Sequence, residues 1–428
     1  MSKIDALIQE LCPEGVEYKT LGEIFNTRNG YTPSKSKPEF WEGGNIPWFR
    51  MEDIRENGNI LYDSIQHITH EGVKGELIPK DSLIVATSAT VGVHAIIKTD
   101  AITNQRFTCL TLKGEYAELY DVKFLFYYCY KLDEYCLNHL NKGNFASVNM
   151  EQFHAFPIPV PPLSIQREIV RILDAFTELT TKLSAELTLR RRQYEYYRDK
   201  LLSFEPGVAP LCPLREISDI LTGYPFDSAQ FSRTGIRLLR GMNVKRGELD
   251  FSEENNRYWS SDEGFDAYQL EEDDVIIAMD GSLVGKSFGY VKKEHLPALL
   301  VQRVARIRAK GVNPRFLFHC VLNNFTDYVE RKKTGGTVPH ISKKDIEEFQ
   351  IPLPSLSTQE RLVRVLDNFD AICQDLDIGL PAEITARKKQ YEYYRDQLLN
   401  FAQFGAINTK NRRIEESKNR RIEESTRR

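Results

Sequence analysis

The chain has 428 residues, 41% hydrophobic and 28% charged, with a formal net charge of −4, a soluble globular composition with room for two to three domain cores. No run reaches the roughly 20 apolar residues that span a bilayer, and the opening MSKIDALIQELCPEG carries acids and no apolar core, so no membrane segment or export signal is expected and the location is cytoplasmic. Seven scattered cysteines without a C-x2-C pair argue against a disulfide framework, and eight histidines without H-x3-H or H-E-x-x-H spacing give no metal site.

In chain order, residues 1–159 carry 15 basic and 21 acidic side chains and read as α+β. DSLIVATSA (81–89) is a short β-branched run ended by turn residues, and FLFYYCYKLDEYCLNHL (124–140) is an aromatic-rich helix. PIPVPP (157–162) is then a stiff extended connector, because proline fixes φ and biases its predecessor away from helix. Ser164 sits where an N-cap belongs and Glu168 puts acid in the first turn. Apolar residues follow at Ile165, Ile169, Ile172, Phe176, Leu179 and Leu183, take one extra four-step to Leu187, and resume through Tyr194, Tyr197, Leu201 and Phe204. This alternation of three and four is a coiled-coil seam with a stutter. FTEL, TTKL and SAEL (176–187) give it a tetrapeptide rhythm, and no residue breaks the helix.

Residues 206–350 form a second α+β segment with 20 basic and 21 acidic side chains. Its bases cluster at Arg233, Arg237, Arg240, Lys245 and Arg246, at Arg303, Arg306, Arg308 and Lys310, and at Arg331, Lys332 and Lys333, where they can make local positive surface. DDVIIAMDG (273–281) is a strand and PRFLFHCVLNNFTDYVERK (314–332) a helix. GSLVGKS (281–287) has three residues between its glycines where a phosphate loop needs four, and extended sequence follows it. IPLP (351–354), Ser357 and Glu360 open a second helical block whose stripe runs Leu362, Val365, Phe369, Ile372, Leu376, then Tyr391, Tyr394, Leu398 and Phe401. Gly379 and Pro381 in GLPAEI should interrupt this helix and restart it. Residues 403–428, with NRRIEESK followed by NRRIEEST, are expected to be a disordered charged tail.

The chain is written twice. RRRQYEYYRDKLLSF (190–204) and RKKQYEYYRDQLLNF (387–401) agree at 11 of 15 positions, and IPVPPLSIQREIVRILDAF (158–176) matches IPLPSLSTQERLVRVLDNF (351–369) at an offset of 193. Fainter matches enter the α+β segments: LGEI (21–24) with LREI (214–217), Gly30-Tyr31 with Gly223-Tyr224, DSLI (81–84) with DVII (274–277), Val91-Gly92 with Val284-Gly285, and Gln105-Arg106 with Gln302-Arg303. The expected architecture is therefore α+β: two α+β domains, at 1–156 and 206–350, separated by helical blocks at 157–205 and 351–402. The two long helices pack as an antiparallel coiled coil, and the whole is a pseudo-twofold internal repeat.

Two divergent domains alternating with two near-identical helical blocks, each opening on IP-P and closing on QYEYYRD, resemble the specificity subunit of Type I restriction-modification systems over residues 1 to about 402. The resemblance implies that each α+β domain is a target recognition domain for one half of a bipartite, asymmetric double-stranded DNA site. It implies docking of two methyltransferase subunits and of restriction/translocase subunits on the helical blocks, at Gln193, Tyr194, Tyr197 and Arg198 and at Gln390, Tyr391, Tyr394 and Arg395. The tetrads would act as a ruler, each adding about 6 Å of helix. Catalysis, with its S-adenosylmethionine, ATP and Mg2+, would belong to the partners; this chain carries no cofactor or catalytic residue of its own. Candidate DNA contacts are polar positions in the matched loops: Tyr31, Arg50, Thr87, Ser88, Gln105 and Arg106 in the first domain. In the second they are Tyr224, Arg240, Asn243, Ser282, Lys286, Gln302, Arg303, Lys332 and Lys333. Arginine suits guanine, Asn and Gln suit adenine, and Ser, Thr and Lys suit phosphate. Gln105 and Gln302, common to both domains, fit a structural bond better than a base-specific one, and the glycines and amides of KGNFAS (142–147) and KTGGTVPH (333–340) could hold phosphate. A specificity chain from a differently organised system, and a coiled-coil scaffold whose heads bind protein, are the alternative readings; the acid excess of residues 1–159 is the argument for the scaffold.

Overall fold

The computed structural model describes residues 8, 10–141, 146–205, 207–281, 283–332, 340–374 and 379–401. These form two units, one of the described residues up to Thr181 with those from Ala386 onward, the other of Lys182–Thr385. The division runs through the helical blocks. Each unit holds one α+β head, the start of the block that follows it, and part of the other block.

In the first unit β1 (Tyr18–Thr20), α1 (Leu21–Ile24) and β2 (Phe25–Asn29) lead into β3 (Ile46–Phe49), α2 (Met51–Asn57), β4 (Ile60–Leu61) and β5 (His67–Ile68). β6 (Leu83–Ala86), β7 (His94–Ile97), β8 (Ile102–Thr103), β9 (Phe107–Leu112), α3 (Val122–Asn138), α4 (Met150–Ala155), β10 (Pro157–Pro159) and α5 (Leu163–Leu202) follow, α5 belonging from Lys182 onward to the second unit. The main sheet has the order β2-β9-β6-β7-β4, and a small sheet β5-β3-β8 lies beside it. All four residues of β6 are buried, which is why the segment reads as a continuous apolar run. Side chains alternate across a strand, so Leu83 and Val85 join Phe124, Leu125 and Leu132 of α3 in one core, while Ile84 and Ala86 join Phe49, Met51 and Phe107 in another. Each of the leucine, valine, isoleucine, phenylalanine and methionine side chains among them contributes about 1.5–3 kcal/mol on burial.

The second unit repeats the plan with β11 (Leu211–Pro213), α6 (Leu214–Ile217), β12 (Ser218–Thr222), β13 (Ile236–Leu239), β14 (Tyr258–Trp259) and β15 (Val275–Ala278). β16 (Phe288–Tyr290), β17 (Ala298–Leu300), β18 (Val304–Ala309), α7 (Pro314–Lys332), α8 (Lys343–Glu347), β19 (Gln350–Pro352) and α9 (Leu356–Gln374) complete it, and α10 (Leu380–Leu398) begins in it and belongs from Ala386 onward to the first unit. Its sheets, β12-β18-β15-β16 and β14-β13-β17, have the order of the first unit without an equivalent of β4. Val275 and Ile277 face α7, and Ile276 and Ala278 face the small sheet.

The ladders correct one sequence match. Leu83 pairs with Leu110 and Val275 with Ile307, so Leu83 answers Val275 at an offset of 192, and Asp81 answers Asp273 rather than Asp274. Both of these aspartates have positive φ, 66° and 73°, at the turn that starts the strand.

The proline connectors are strands. β10 pairs antiparallel with β1, and β19 with β11, closing each head beside its helix. The helices then start at Leu163 and Leu356, so Ser164 and Ser357 lie inside the first turn and not at the cap. The orphan amides are met instead by the Pro162 carbonyl, which accepts from Ile165 and Gln166, and by Ser355. The residues facing the first head are Ile165, Ile169 and Leu173, all fully buried, whereas Leu179 of the expected stripe is 38% exposed. α5 runs unbroken for 40 residues; α9 ends at Gln374, Gly379 is a bend, and α10 restarts with Pro381 in its first turn.

The aromatic residues of the helical blocks pack reciprocally. In the first unit Phe176 meets Tyr391 and Tyr394; in the second Phe369 meets Tyr194 and Tyr197. In each unit the early part of one block packs on the late part of the other, the pairing of antiparallel helices. Among the described residues no helix is long and apolar enough to cross a membrane. The expected tail lies outside the described residues.

Candidate nucleic-acid interface

In the first unit β2 and β6 end, and β9 begins, at one end of the main sheet: Asn29 stands opposite Thr108 and Ala86 opposite Phe107. The segments after β2 and β6 and before β9 therefore share that end. Gly30 is required there, because a Cβ would lie 2.1 Å from Thr103 Oγ1 and 2.2 Å from the Asn104 carbonyl. Tyr31 N–H donates to the Thr103 carbonyl (2.8 Å), and Asn104 N–H to the Phe49 carbonyl (3.0 Å), which brings Arg50 to the same place. Thr87 N–H donates to the Arg106 carbonyl at 3.0 Å. Tyr31, Arg50, Thr87, Ser88, Gln105 and Arg106, dispersed over 76 positions (31 to 106), are thus brought together.

The second unit builds the same frame. A Cβ on Gly223 would lie 2.2 Å from the Val301 carbonyl. Tyr224 N–H donates to the Leu300 carbonyl, Gln302 N–H to the Tyr224 carbonyl, Val301 N–H to the Leu239 carbonyl next to Arg240, and Met279 N–H to the Arg303 carbonyl. Tyr224, Arg240, Gln302 and Arg303 meet at the sheet end.

What these side chains can still do differs from one to the next. Tyr31 is an anchor: its hydroxyl accepts from Lys74 N–H at 2.5 Å and faces the Gly72 carbonyl. Its counterpart Tyr224 is more exposed and packs edge-on among Phe226, Phe265 and Tyr268, with centroids 5.0–5.3 Å away. Thr87 is 8% exposed and shares a hydrogen bond with the Thr108 hydroxyl, so it is structural rather than a phosphate contact. Ser88 is half-buried and bridges by backbone to Ser147. Gln105 is exposed and accepts from the Thr32 hydroxyl at 2.5 Å. Arg106 is exposed and has no side-chain partner among the described residues.

Arg50 and Arg240 are half-buried. The Arg50 guanidinium lies over Trp48 at 5.2 Å, and that of Arg240 over Phe231 at 5.9 Å while it donates to the Asn255 carbonyl. Burial, aided by Arg257, lowers the pKa of Arg240 from the ordinary arginine value. Each is followed three residues later by a fully buried polar side chain, Asp53 or Asn243. Asp53 accepts from Arg50 N–H and Ile65 N–H, both at 2.6 Å. Asn243 accepts from Arg240 N–H (3.1 Å) and donates to the Asp250 and Asn255 carbonyls (2.8 and 3.2 Å). Asn243 is therefore a saturated loop pin and has no group left for a base. Asp53 was not among the candidates, although the shared spacing R-x-x-D and R-x-x-N signals it.

The basic clusters are corrected as well. Arg306 is 5% exposed and pairs with Asp219. Arg308 makes two 2.8 Å bonds to Asp274 and a third to Glu271. Lys310 pairs with Asp219, Lys245 with Asp250, and Lys286 with Glu330. Lys332 lies 3.3 Å from Glu348 and 3.9 Å from Asp345, in a groove with Arg215 and Gln350. These bases are neutralised within the head and leave little net positive field. Ser282, Lys333 and most of both glycine-bearing loops, 142–145 and 333–339, lie outside the described residues.

The candidate docking residues split in two. Tyr194 is 4% exposed and packed on Phe369, and burial pushes its phenol well above the usual range. Tyr391 is turned inward against Tyr130 and Phe176. Arg198 donates to Asn323 Oδ1 at 3.0 Å, and Arg395 lies 4.4 Å over Tyr130. Gln193 and Gln390 each accept from an arginine three residues earlier, Arg190 and Arg387. Tyr197 and Tyr394 are 39% and 40% exposed, one face stacked on a phenylalanine. The tyrosines most presented to solvent are Tyr196 and Tyr393, at 60% and 63%, which sit off the apolar stripe and outside the set that the resemblance suggested.

Residues 13–189 and 227–386 match the profile of a family described as Type I restriction modification DNA specificity domain. The chain is 36% identical over 398 residues to the Type I restriction enzyme EcoprrI specificity subunit of Escherichia coli, covering 88% of this chain and 93% of that one. It is 27% identical to a putative type I restriction enzyme specificity subunit of Haemophilus influenzae, over 90% and 96% of the two chains. Among solved structures, a chain from work on complex assembly and conformational transition of the type I R-M system aligns with a TM-score of 0.62 at 17% identity, over 91% of this chain and 98% of that one.

Proposed function

Because the chain belongs to the Type I restriction modification DNA specificity family, we propose that it is the sequence-reading subunit of a Type I restriction-modification complex. Each head, residues 1–156 and 206–350, binds one half of a bipartite, asymmetric duplex target. The helical blocks at 157–205 and 351–402 dock two methyltransferase subunits, and restriction/translocase subunits join that assembly. The chain performs no catalysis; S-adenosylmethionine, ATP and Mg2+ act in the partners.

The observation that carries this reading is one backbone frame built twice with side chains that differ in part at its open end. Arg106 and Arg303 hold the same place in it, whereas Thr87 and Ser88 of the first head are replaced by Met279 and Asp280 in the second. Base edges are read by side chains held on a fixed frame, so two unlike sets predict two unlike half-sites. The exposed tyrosine of QYEYYRD is the same in both blocks, as expected of a surface that meets two copies of one partner. The protein-scaffold alternative accounts for the helices but not for a sheet end that gathers tyrosine and arginine side chains in both heads.

The test is co-expression with the cognate methyltransferase in a methylation-free host and mapping of N6-methyladenine by long-read sequencing. One asymmetric motif with a fixed gap is expected, and exchanging residues 206–350 should change only one half of it. An active methyltransferase in a stable complex that gives no motif overturns the reading.

A further inference from the structure

Arg106 and Arg303 hold the same place, each immediately before the strand that follows it (β9 or β18), and each carbonyl accepts from the residue after the neighbouring strand (Thr87, 3.0 Å; Met279, 2.9 Å). Their surroundings differ. Arg303 has φ of 66°, a conformation costly for a residue with a Cβ and one that persists where the surroundings impose it. Its side chain is 70% exposed, yet its Nη1 donates to Asp280 Oδ2 at 2.7 Å, and Asp280 is 21% exposed. The residue equivalent to Asp280 in the first head is Ser88; both lie two residues past the end of their strand and both form a backbone bridge, Ser88 to Ser147 and Asp280 to His340. Only the second head therefore aims its arginine with a carboxylate.

Resting on the reading of this chain as a DNA-binding subunit, we propose that Arg303, oriented by Asp280, recognises a guanine in the half-site of the second head. The carboxylate occupies Nη1 and leaves Nη2 and Nε as a parallel pair of donors, the geometry that meets O6 and N7 of guanine in the major groove. The same carboxylate argues against a phosphate contact. It neutralises the guanidinium and repels a phosphate oxygen, so little counterion release would be gained. What it supplies is direction: a long side chain that would otherwise sample many rotamers is held in one.

The experiment uses the full complex with co-expressed methyltransferase and duplexes bearing each base at each position of the wild-type motif. Binding is read by fluorescence anisotropy. For wild type, one guanine in the half-site that follows residues 206–350 should be preferred by roughly 5- to 150-fold over other bases. Arg303→Ala should abolish that preference and leave every other position unchanged. Arg303→Lys keeps the charge without the fork and should restore affinity but not the preference, which also covers an alanine variant that fails to assemble. Asp280→Asn should weaken the preference without removing it. If Arg303→Lys retains the wild-type preferences at all positions, or Arg303→Ala weakens binding equally for every duplex, the proposal is overturned while the DNA-binding reading stands. A wild-type complex with no base preference overturns both.

Discussion

The ring of Phe176 is stacked on that of Tyr394 with centroids 5.5 Å apart and planes 26° apart. Phe369, the repeat-equivalent of Phe176, is stacked on Tyr197 at 5.9 Å and 23°. The same clasp is made in both units, between blocks distant in sequence. Truncating either phenylalanine removes a half-buried ring and an aromatic pair, a loss of about 1–3 kcal/mol. Phe369→Ala should lower the melting temperature by several degrees, at about 2–4 °C per kcal/mol for a unit of this size, as read by calorimetry.

Tyr196 and Tyr393 lie outside that clasp and are mostly exposed. Replacing both with alanine should leave the melting temperature of the isolated chain essentially unchanged, within about 0.5 kcal/mol. The double variant should co-purify with less methyltransferase than wild type in size-exclusion chromatography. Tyr194→Ala, which opens the core beside Phe369, should instead destabilise the free chain.

The buried pins Asp53 and Asn243 occupy equivalent positions with opposite hydrogen-bond demands. Two backbone N–H groups point at Asp53, while two carbonyls and one N–H surround Asn243. Asn243→Asp leaves both carbonyls without a donor, and Asp53→Asn turns an NH2 group toward an N–H. Each exchange should cost about 1–3 kcal/mol per unsatisfied group, measurable by urea denaturation, although each installs the residue the other head uses.

His319 is fully buried, with Nε2 2.8 Å from Asp367 Oδ1. Arg315 reaches Asp367 at 2.8 Å and Asp370 at 3.3 Å. Burial lowers the His319 pKa in spite of Asp367. Burial opposes ionisation of Asp367, but hydrogen bonds from His319 and Arg315, with Arg315's charge, hold its pKa below the ordinary value. A histidine depressed in the folded state binds fewer protons there than when unfolded. Its contribution is therefore complete above the ordinary histidine value of about 6.5 and is lost as pH falls below it. Asp367 adds a second loss only below the ordinary aspartate value, near 3.9. Burial raises Asp370, which acts in the opposite sense around that lower value. The second unit should melt at lower temperature at pH 5 than at pH 7.5. His319→Tyr installs the residue that stands at the matched position of the first unit, where the Tyr127 hydroxyl donates to Asp174 at 2.7 Å, and should flatten that dependence.

Among the described residues Arg106 has no carboxylate partner, and it is exposed, as suits a phosphate contact. Arg106→Ala should weaken binding of all duplexes by a similar factor and make the slope of log K against log salt shallower by about one. A change in base preference instead would assign it to a base edge.

Local signals were readable in the sequence: the prolines at 157 and 352, the apolar runs of β6 and β15, the aromatic helices, and the glycines at 30 and 223. The rest depended on pairing between distant segments. Asp274 was aligned with Asp81 because the motif is short and a one-residue slip preserves its look, whereas the ladder tolerates no slip. Arg306 and Arg308 read as surface bases, but their strand puts both on one face beside Asp219 and Asp274, each more than 30 residues away. Periodicity finds the inward side of a helix, and Tyr194 and Tyr391 of QYEYYRD lie on that side, whereas Tyr196 and Tyr393, off the stripe, are exposed. Asn243 has the chemistry of a base reader, but three hydrogen bonds within its own loop, which only the fold brings together, use that capacity.

The strand pairs β1–β10 and β11–β19 bring the entry and exit of each head side by side, Tyr18 opposite Pro159 and Leu211 opposite Pro352. Neighbouring strands lie about 4.8 Å apart, so the intervening chain is a closed loop on a fixed clip. Any α+β cassette whose ends meet at that spacing could be grafted there without a change in the helix that follows. The clip makes recognition modular: a crossover between genes within the repeated proline segments would deliver a new specificity while the assembly scaffold stayed in register.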